Sequence, residues 1–428
     1  MSTRERRSVI ALLVADGCSA AAALGQETAI GKLVYDITHS KLDLGLLGLV
    51  EFAPAVVLVL ATGAVADRWP RPKVAAVAMA AESVAAAGMA WYVHVQGRGA
   101  SVPVVLAIVV AFGVARAFAA PAARALPADV VAADRLPWVM ARSSLAFQAG
   151  IIAGPVLGGF LYTAGLAWPF VGCTLILAVA AVAVSTVQPL AGPAAPAASL
   201  GTPLIEAAIE PAGGPTSAEV RPRGHGGLRE ALEGLRFIRS QPALLGAISL
   251  DLFGVLFGGA VALLPAIAQD RLHTGAIGLG LLRAAAGIGA GLVTVVLAVR
   301  PVRRRVGRSL LGVVALFGTF TIALGVTHRF AIAFAALVAL SGADAISVFI
   351  RATLVPLMTP EDRRGRVLAV ENVFIGASNE LGAFESGVAA QLLGTGAAVV
   401  LGGAATVAVA CVWAVVFPTL RDLDAFPH

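Results

Sequence analysis

Charge is scarce in this sequence: Asp, Glu, Lys and Arg make up 13% of its 428 residues, where a soluble globular protein carries about 25%. A water-soluble surface cannot be covered with so few ionic groups. Aromatic residues are also few, at 6%, and only three cysteines occur, Cys18, Cys173 and Cys411. The cysteines lie far apart within apolar runs, without metal-ligand spacing, and read as small buried hydrophobes. Six histidines are scattered, and no HExxH, nucleophile elbow or GxxxxGK[ST] is present. The glycines around Gly287 and Gly289 lie inside an apolar run and read as packing rather than a nucleotide loop. Zinc hydrolysis, acyl transfer through a nucleophilic serine and ATP-driven work lose their usual residues. The chain is read as not an enzyme, and no cofactor is expected.

Apolar residues are what it has in abundance. They amount to 58% of the chain, against about 45–50% in ordinary domains, and the mean hydropathy is +0.88. A bilayer supplies the apolar solvent that such a surplus needs. The net charge of +6 does not form a basic patch with interleaved aromatics. It is spread over short gaps between apolar runs, which suits anionic lipid headgroups better than nucleic acid.

Runs of about 20 apolar residues mark membrane-spanning helices. They fall near 9–34, 42–66, 73–95, 102–125, 138–163, 167–187, 243–269, 275–299, 308–327, 330–355, 366–393 and 395–418. Arg4, Arg6 and Arg7 before the first run imitate a signal peptide, but Asp16 and Glu27 interrupt it and the apolar stretch continues, so it is read as a retained span. Twelve spans place both termini on one side. By this placement about 24 of the 31 Lys and Arg lie on that side, against Lys32, Lys41, Arg98, Arg271 and Arg329 opposite, with Arg116 and Arg283 inside spans. That asymmetry makes the termini cytoplasmic. The expected fold is an all-α membrane protein of two pseudo-symmetric six-helix bundles, residues 1–188 and 242–428. Between them, residues 189–241 comprise a Pro/Ala/Gly-rich tether and an amphipathic helix on the membrane surface, with Leu228, Leu232, Leu235 and Ile238 at helical spacing.

The halves echo each other. Asp16 in the first span matches Asp251 in the seventh, and Arg283 in the eighth takes the place of Glu51 in the second. Arg124-Ala-Leu-Pro answers Arg351-Ala-Thr-Leu-Val-Pro, and Val139-Met-Ala answers Val367-Leu-Ala. Duplicated halves are the mark of an alternating-access transporter with its site between them.

Two motifs carry a family resemblance. Gly63-Ala-Val-Ala-Asp67-Arg68-Trp-Pro-Arg71-Pro-Lys73 joins spans two and three. It resembles the loop signature of the major facilitator superfamily. Gly150-Ile-Ile-Ala-Gly154-Pro155-Val-Leu-Gly158-Gly159 in span five resembles the antiporter motif of the same superfamily. The stretches from Ala125 to Gly159 and from Pro360 to Val367 resemble most the bacterial branch that includes the enterobactin exporter and drug-efflux proteins. The resemblance spans nearly the whole chain. It implies a twelve-helix transporter of the bacterial inner membrane, acting as a monomer and exporting a small amphiphilic compound, such as a siderophore or drug, in exchange for protons. It also implies that Asp67 meets the positive end of span eleven and latches the cytoplasmic gate. The second half keeps the cations at Arg300, Arg303, Arg304 and Arg305, but has Val299 in the place of Asp67. A proton-coupled importer and a lipid flippase on the same fold are the rival readings.

Ionised groups at bilayer depth cost about 2.5–3.5 kcal/mol each on insertion scales, so each needs a partner or a cavity. Here there are eleven: Asp16, Glu27, Glu51, Glu82, Arg116, Asp251, Arg283, Asp344, Glu371, Glu380 and Glu385. In span eleven Glu371, Ser378 and Glu385 recur every seven residues, as do Asn372, Asn379 and Ser386, which draws one polar stripe along the helix. That stripe, bordered by Glu380, and the Asp16–Glu27 face of span one are expected to line the central cavity. Glu27 and Glu82 are expected nearer the periphery as static helix-to-helix contacts. Arg116 and Arg283 are the expected partners of the cavity acids, and the superfamily resemblance ties an arginine at the position of Arg116 to proton coupling.

Overall fold

The structure, a computed structural model, describes residues 2–189 and 228–426, without the side chains at 55, 59–61, 63, 64, 66, 67, 133 and 228–231. The tether expected over 189–227 therefore lies, apart from its first residue, outside the described residues.

Helices follow from the apolar runs and are punctuated by caps. The first helix, α1 (Thr3–Thr38), opens on a capping box. Ser2 Oγ accepts from the Glu5 amide at 3.2 Å, and Glu5 returns a carboxylate to the Ser2 amide. It closes at His39 in the left-handed conformation (φ 50°), and Ser40 then caps the next helix through the Asp43 amide. The first six-helix set is completed by α2 (Lys41–Arg68), α3 (Arg71–Gln96), α4 (Val102–Val130), α5 (Leu136–Ala164) and α6 (Trp168–Ser185).

After the tether comes the expected amphipathic helix, α7 (Leu228–Ser240). Ile238 is fully buried in a cluster with Val367 and Val370, and Glu233 pairs with Arg366 at 2.8 Å. The second set comprises α8 (Pro242–Phe257) with its continuation, α10 (Ala276–Val299), α11 (Val306–Val326), α12 (Phe330–Leu357), α13 (Glu361–Leu393) and α14 (Thr395–Val416). A single turn, α15 (Pro418–Arg421), follows. Ten of these segments are long and apolar enough to cross a membrane, and α2 and α13, of 28 and 33 residues, complete the two sets. Apolar side chains such as Val179, Val182, Leu392 and Val415 face outward, as they do where lipid is the solvent.

The seventh span is not one continuous helix. It breaks at Gly258–Gly259 into a 3-10 turn (Ala260–Leu263), a three-residue α9 (Leu264–Ala266) and a π turn (Ile267–Arg271). The break admits α13. A Cβ on Gly382 would stand 2.7 Å from the Leu256 carbonyl, so only glycine permits this approach. π turns occur mostly where function needs an irregular backbone, and this one turns Gln269 and Asp270 toward α1.

Within the first set α1 packs on α5 and α6, and α3 on α4 and α6. Within the second, α11 packs on α12 and α14, and α10 on α12. The sets meet along α2 against α13 and α5 against α10.

Candidate functional site

Where the two sets meet, a cavity of about 350 Å³ opens between α1, α2, α8, α10, α11, α12 and α13. Its apolar wall includes Leu44, Leu47, Val255, Phe317 and Leu340, and its polar groups are Glu27, Glu51, Arg283, Ser341, Asp344, Asn379 and Glu380. An apolar chamber of this size with a few convergent polar groups is the usual form of a small-molecule site.

Charges in the cavity are paired unevenly. Arg283 meets Glu27 at 2.7 Å, an ion pair that crosses from the second set to the first. Arg116 forks between two acids of its own set, donating to Glu51 at the cavity wall and to Glu82 behind it at 3.0 Å. A guanidinium presents several donors in a fixed plane and can hold two carboxylates at once. Asp344 and Glu380 form no ion pair among the described residues.

A second cluster lies beside the first. Arg351 of α12, 4% exposed, reaches Asp251 of α8 at 2.7 Å and Glu371 of α13 at 3.7 Å. Each set thus holds an arginine shared by two acids, Glu51 and Glu82 in the first and Asp251 and Glu371 in the second.

A third polar group ties the sets together at the end of α1 away from its N-terminus. Lys32 pairs with Asp36 and donates to Gln269 at 2.9 Å, and Tyr162 donates to Asp36 at 2.8 Å. Tyr35 donates to Asp270, which Lys41 approaches at 3.8 Å, and the Lys41 amide donates to Gln391 at 3.2 Å. These contacts tie α1, α2 and α5 of one set to the π turn and α13 of the other.

The glycines of span five sit where backbones touch. A Cβ on Gly158 would stand 2.6 Å from the Gly25 carbonyl of α1, too close for any side chain. Gly150 and Gly154 lie equally close to Gly17 and Ala21 of α1, while Pro155 and Gly159 press on Gly280 and Ala276 of α10. The motif holds α1 on one face and the opposite set on the other. From α5, Gln148 also donates to the Gly287 carbonyl of α10 at 2.6 Å.

Several expected placements change. Asp16 is not among the residues lining the cavity, and its neighbour Gly17 abuts Ala146 of α5. An eleven-residue interval brings Asp16 and Glu27 to one face but leaves them about three turns apart, so only Glu27 reaches the chamber. Glu27, expected to be peripheral, lines the cavity. Glu82 is 4% exposed, against Arg116. The stripe on α13 is divided: Asn379 and Glu380 line the chamber, Glu371 joins Arg351, and Glu385 is exposed. Arg351, counted with the cations outside the spans although it falls near the end of the run expected over 330–355, lies within α12 and is buried. In the loop motif, the side chains at Gly63 and Asp67 lie outside the described residues. Arg68 is exposed, and Arg71 grips Asp129 of α4 with contacts of 2.8 and 3.0 Å.

A family model described as the Major Facilitator Superfamily matches residues 16–350. The chain belongs to this superfamily. No curated protein matches it. Among solved structures, a bacterial homologue of the human lysosomal transporter Spinster, captured inward-facing and unoccupied, is 15% identical. The match covers 98% of this chain and 97% of that one with a TM-score of 0.67. The nucleoside transporter NupG is 12% identical over 97% and 99% of the chains (TM-score 0.65). A bacterial homologue of the iron transporter ferroportin, inward-facing, is 15% identical over 99% and 100% (TM-score 0.64). Their differing cargoes leave the superfamily fold as the common finding. The chain is a multi-pass membrane transporter.

Proposed function

We propose that this transporter exports a small amphiphilic compound in exchange for protons, by rocking its bundles, residues 1–188 and 242–428, about the central cavity. The observation that carries this reading is the Glu27–Arg283 pair across the cavity, beside two acids, Asp344 and Glu380, that have no ionic partner among the described residues. An acid in an apolar chamber is costly when ionised and unpaired. It is relieved by a proton or by a substrate group, and the two relieve it in turn. Exchange follows from that competition.

The proposed setting is a bacterial inner membrane with both termini cytoplasmic, the protein acting as a monomer. In this arrangement the Lys32, Tyr35 and Asp270 contacts close the outer end. The loop of Gly63, Asp67, Arg68, Arg71 and Lys73 is assigned to the inner gate, with Arg71 anchored on Asp129. The Gly150-to-Gly159 motif supports export by fixing α5 between α1 and α10, where bundle rotation must shear.

The test is reconstitution in vesicles with a pH gradient imposed and protein orientation determined. Siderophores, dyes and drugs are screened for movement against their own gradient into the acidified lumen by molecules whose cytoplasmic face points outward. Uptake that ignores the gradient would reject proton exchange.

A further inference from the structure

A second, much smaller void lies off the central cavity, entirely within the second bundle. It measures about 10 Å³ and is lined by Asp251, Gly254, Val255, Val313, Val314, Phe317, Ala343, Asp344 and Ser347. That is room for about one water-sized species. Ser347 is 3% exposed, and its hydroxyl is buried without a hydrogen-bond partner among the described residues. Thr353 of the same helix, by contrast, returns its hydroxyl to the Phe349 carbonyl at 2.9 Å. A buried polar atom left unpaired costs about 1–3 kcal/mol, so a hydroxyl turned from its own helix toward a void marks a place where something binds.

The electrostatics say what kind of species that is. Asp251, Asp344 and Glu371 bring three carboxylates to this region, and Arg351 pairs with two of them, Asp251 and Glu371. Asp344 forms no ion pair among the described residues. Gly254 and Val255 belong to the last turn of α8, so the negative end of that helix dipole also points here. The surplus is negative, the donors are oxygen, and the space fits a single small ion. Hard oxygen ligands select hard cations, and half-helix C-terminal ends at broken spans are where transporters coordinate coupling ions.

We propose that Asp344, Ser347 and Asp251 form a binding site for one sodium ion, separate from the central cavity and joined to it through Asp344, Val255 and Phe317, which line both spaces. The site goes beyond proton exchange: it gives the second bundle a cation of its own, sensed by Asp344 at the cavity wall.

Purified full-length protein in lipid nanodiscs is titrated with sodium chloride at constant ionic strength against choline, with potassium in parallel. Binding of radioactive sodium and thermal unfolding by tryptophan fluorescence are both read. The expected result is saturable sodium binding and a sodium-dependent rise in melting temperature that potassium does not reproduce. Both weaken at least tenfold in Ser347→Ala and in Asp344→Asn. Ser347 lines the small void and is not among the residues lining the central cavity, so S347A separates this site from the cavity, and it removes a single hydroxyl without stranding a charge. Sodium behaving as potassium does, or sodium binding unchanged in S347A and D344N, would overturn the proposal. Failure of proton exchange in vesicles leaves this binding measurement untouched, so the two readings fall separately.

Discussion

Arg351 of α12 and Asp251 of α8 meet at 2.7 Å with side chains 5% and 6% exposed, and Glu371 of α13 stands 3.7 Å from the same guanidinium. One arginine thereby joins three helices of the second bundle. Removing one member of a buried pair strands the other, at about 3–5 kcal/mol. Arg351→Gln is therefore expected to lower stability by that order in detergent unfolding, and D251N in the same chain to restore much of the loss. Full stability in the single variant would show that the cluster is wet.

Paired and unpaired acids should separate by experiment. Glu380 lines the cavity and forms no ion pair among the described residues, so Glu380→Gln removes a costly charge and is expected to leave thermal stability unchanged or raised. Proton-driven transport is expected to be lost in the same variant. Arg116 holds both Glu51 and Glu82, so Arg116→Gln loses transport and also stability, by about 3–5 kcal/mol. Wild-type coupling in both variants, measured by substrate uptake against a pH gradient, would remove these residues from the mechanism.

Composition and periodicity carried the helices, because lipid imposes a length and a polarity on every span. They do not report which side of a helix meets which neighbour. Glu27 and Asp16 share a face of α1, yet differ in depth, and only Glu27 reaches the chamber. Arg351 falls near the end of an expected span and is counted outside it, although its repeat relation to Arg124 flagged the position; Arg124 itself is exposed. Lys32 and Gln269, and likewise Tyr35 and Asp270, gave no signal of meeting, since 237 and 235 residues separate them and the π turn that presents Gln269 and Asp270 is a local irregularity without sequence periodicity. Gly258–Gly259 was the one visible hint that the seventh span breaks.

The proposed outer closure can be loosened one bond at a time. Tyr35→Phe removes the hydroxyl that donates to Asp270 and keeps the ring packed beside His39. A hydrogen bond to a charged group is worth about 1.5–3 kcal/mol, and each 1.4 kcal/mol is about a factor of ten in an equilibrium. The closed outer end is therefore expected to lose about one order of magnitude or more in population. Leu44→Cys, on the cavity wall next to this closure, reports it in a background lacking Cys18, Cys173 and Cys411. Maleimide labelling from the outer face should accelerate by a similar factor in Y35F. An unchanged rate would mean that Lys32, Lys41 and the packing of Tyr35 on Leu44 and Ala266 hold the end shut without the hydroxyl.

The contact of Gly158 with Gly25 sets a different limit, because it is made by backbone and cannot yield by a rotamer change. Gly158→Val is expected to push α5 away from α1 and to cost about 1–3 kcal/mol, the usual range for forcing bulk into a filled interior. Gly365 of α13, where an added Cβ meets nothing within 4 Å, is the matched control: Gly365→Ala should be neutral or slightly stabilising, since alanine is favoured over glycine in a helix by about 1 kcal/mol. Comparing melting temperatures with transport rates shows what the antiporter-like motif is for. Loss of transport in G158V at temperatures where the protein remains folded would tie the α1–α5 contact to the conformational cycle. Loss of both together would make it a packing element alone.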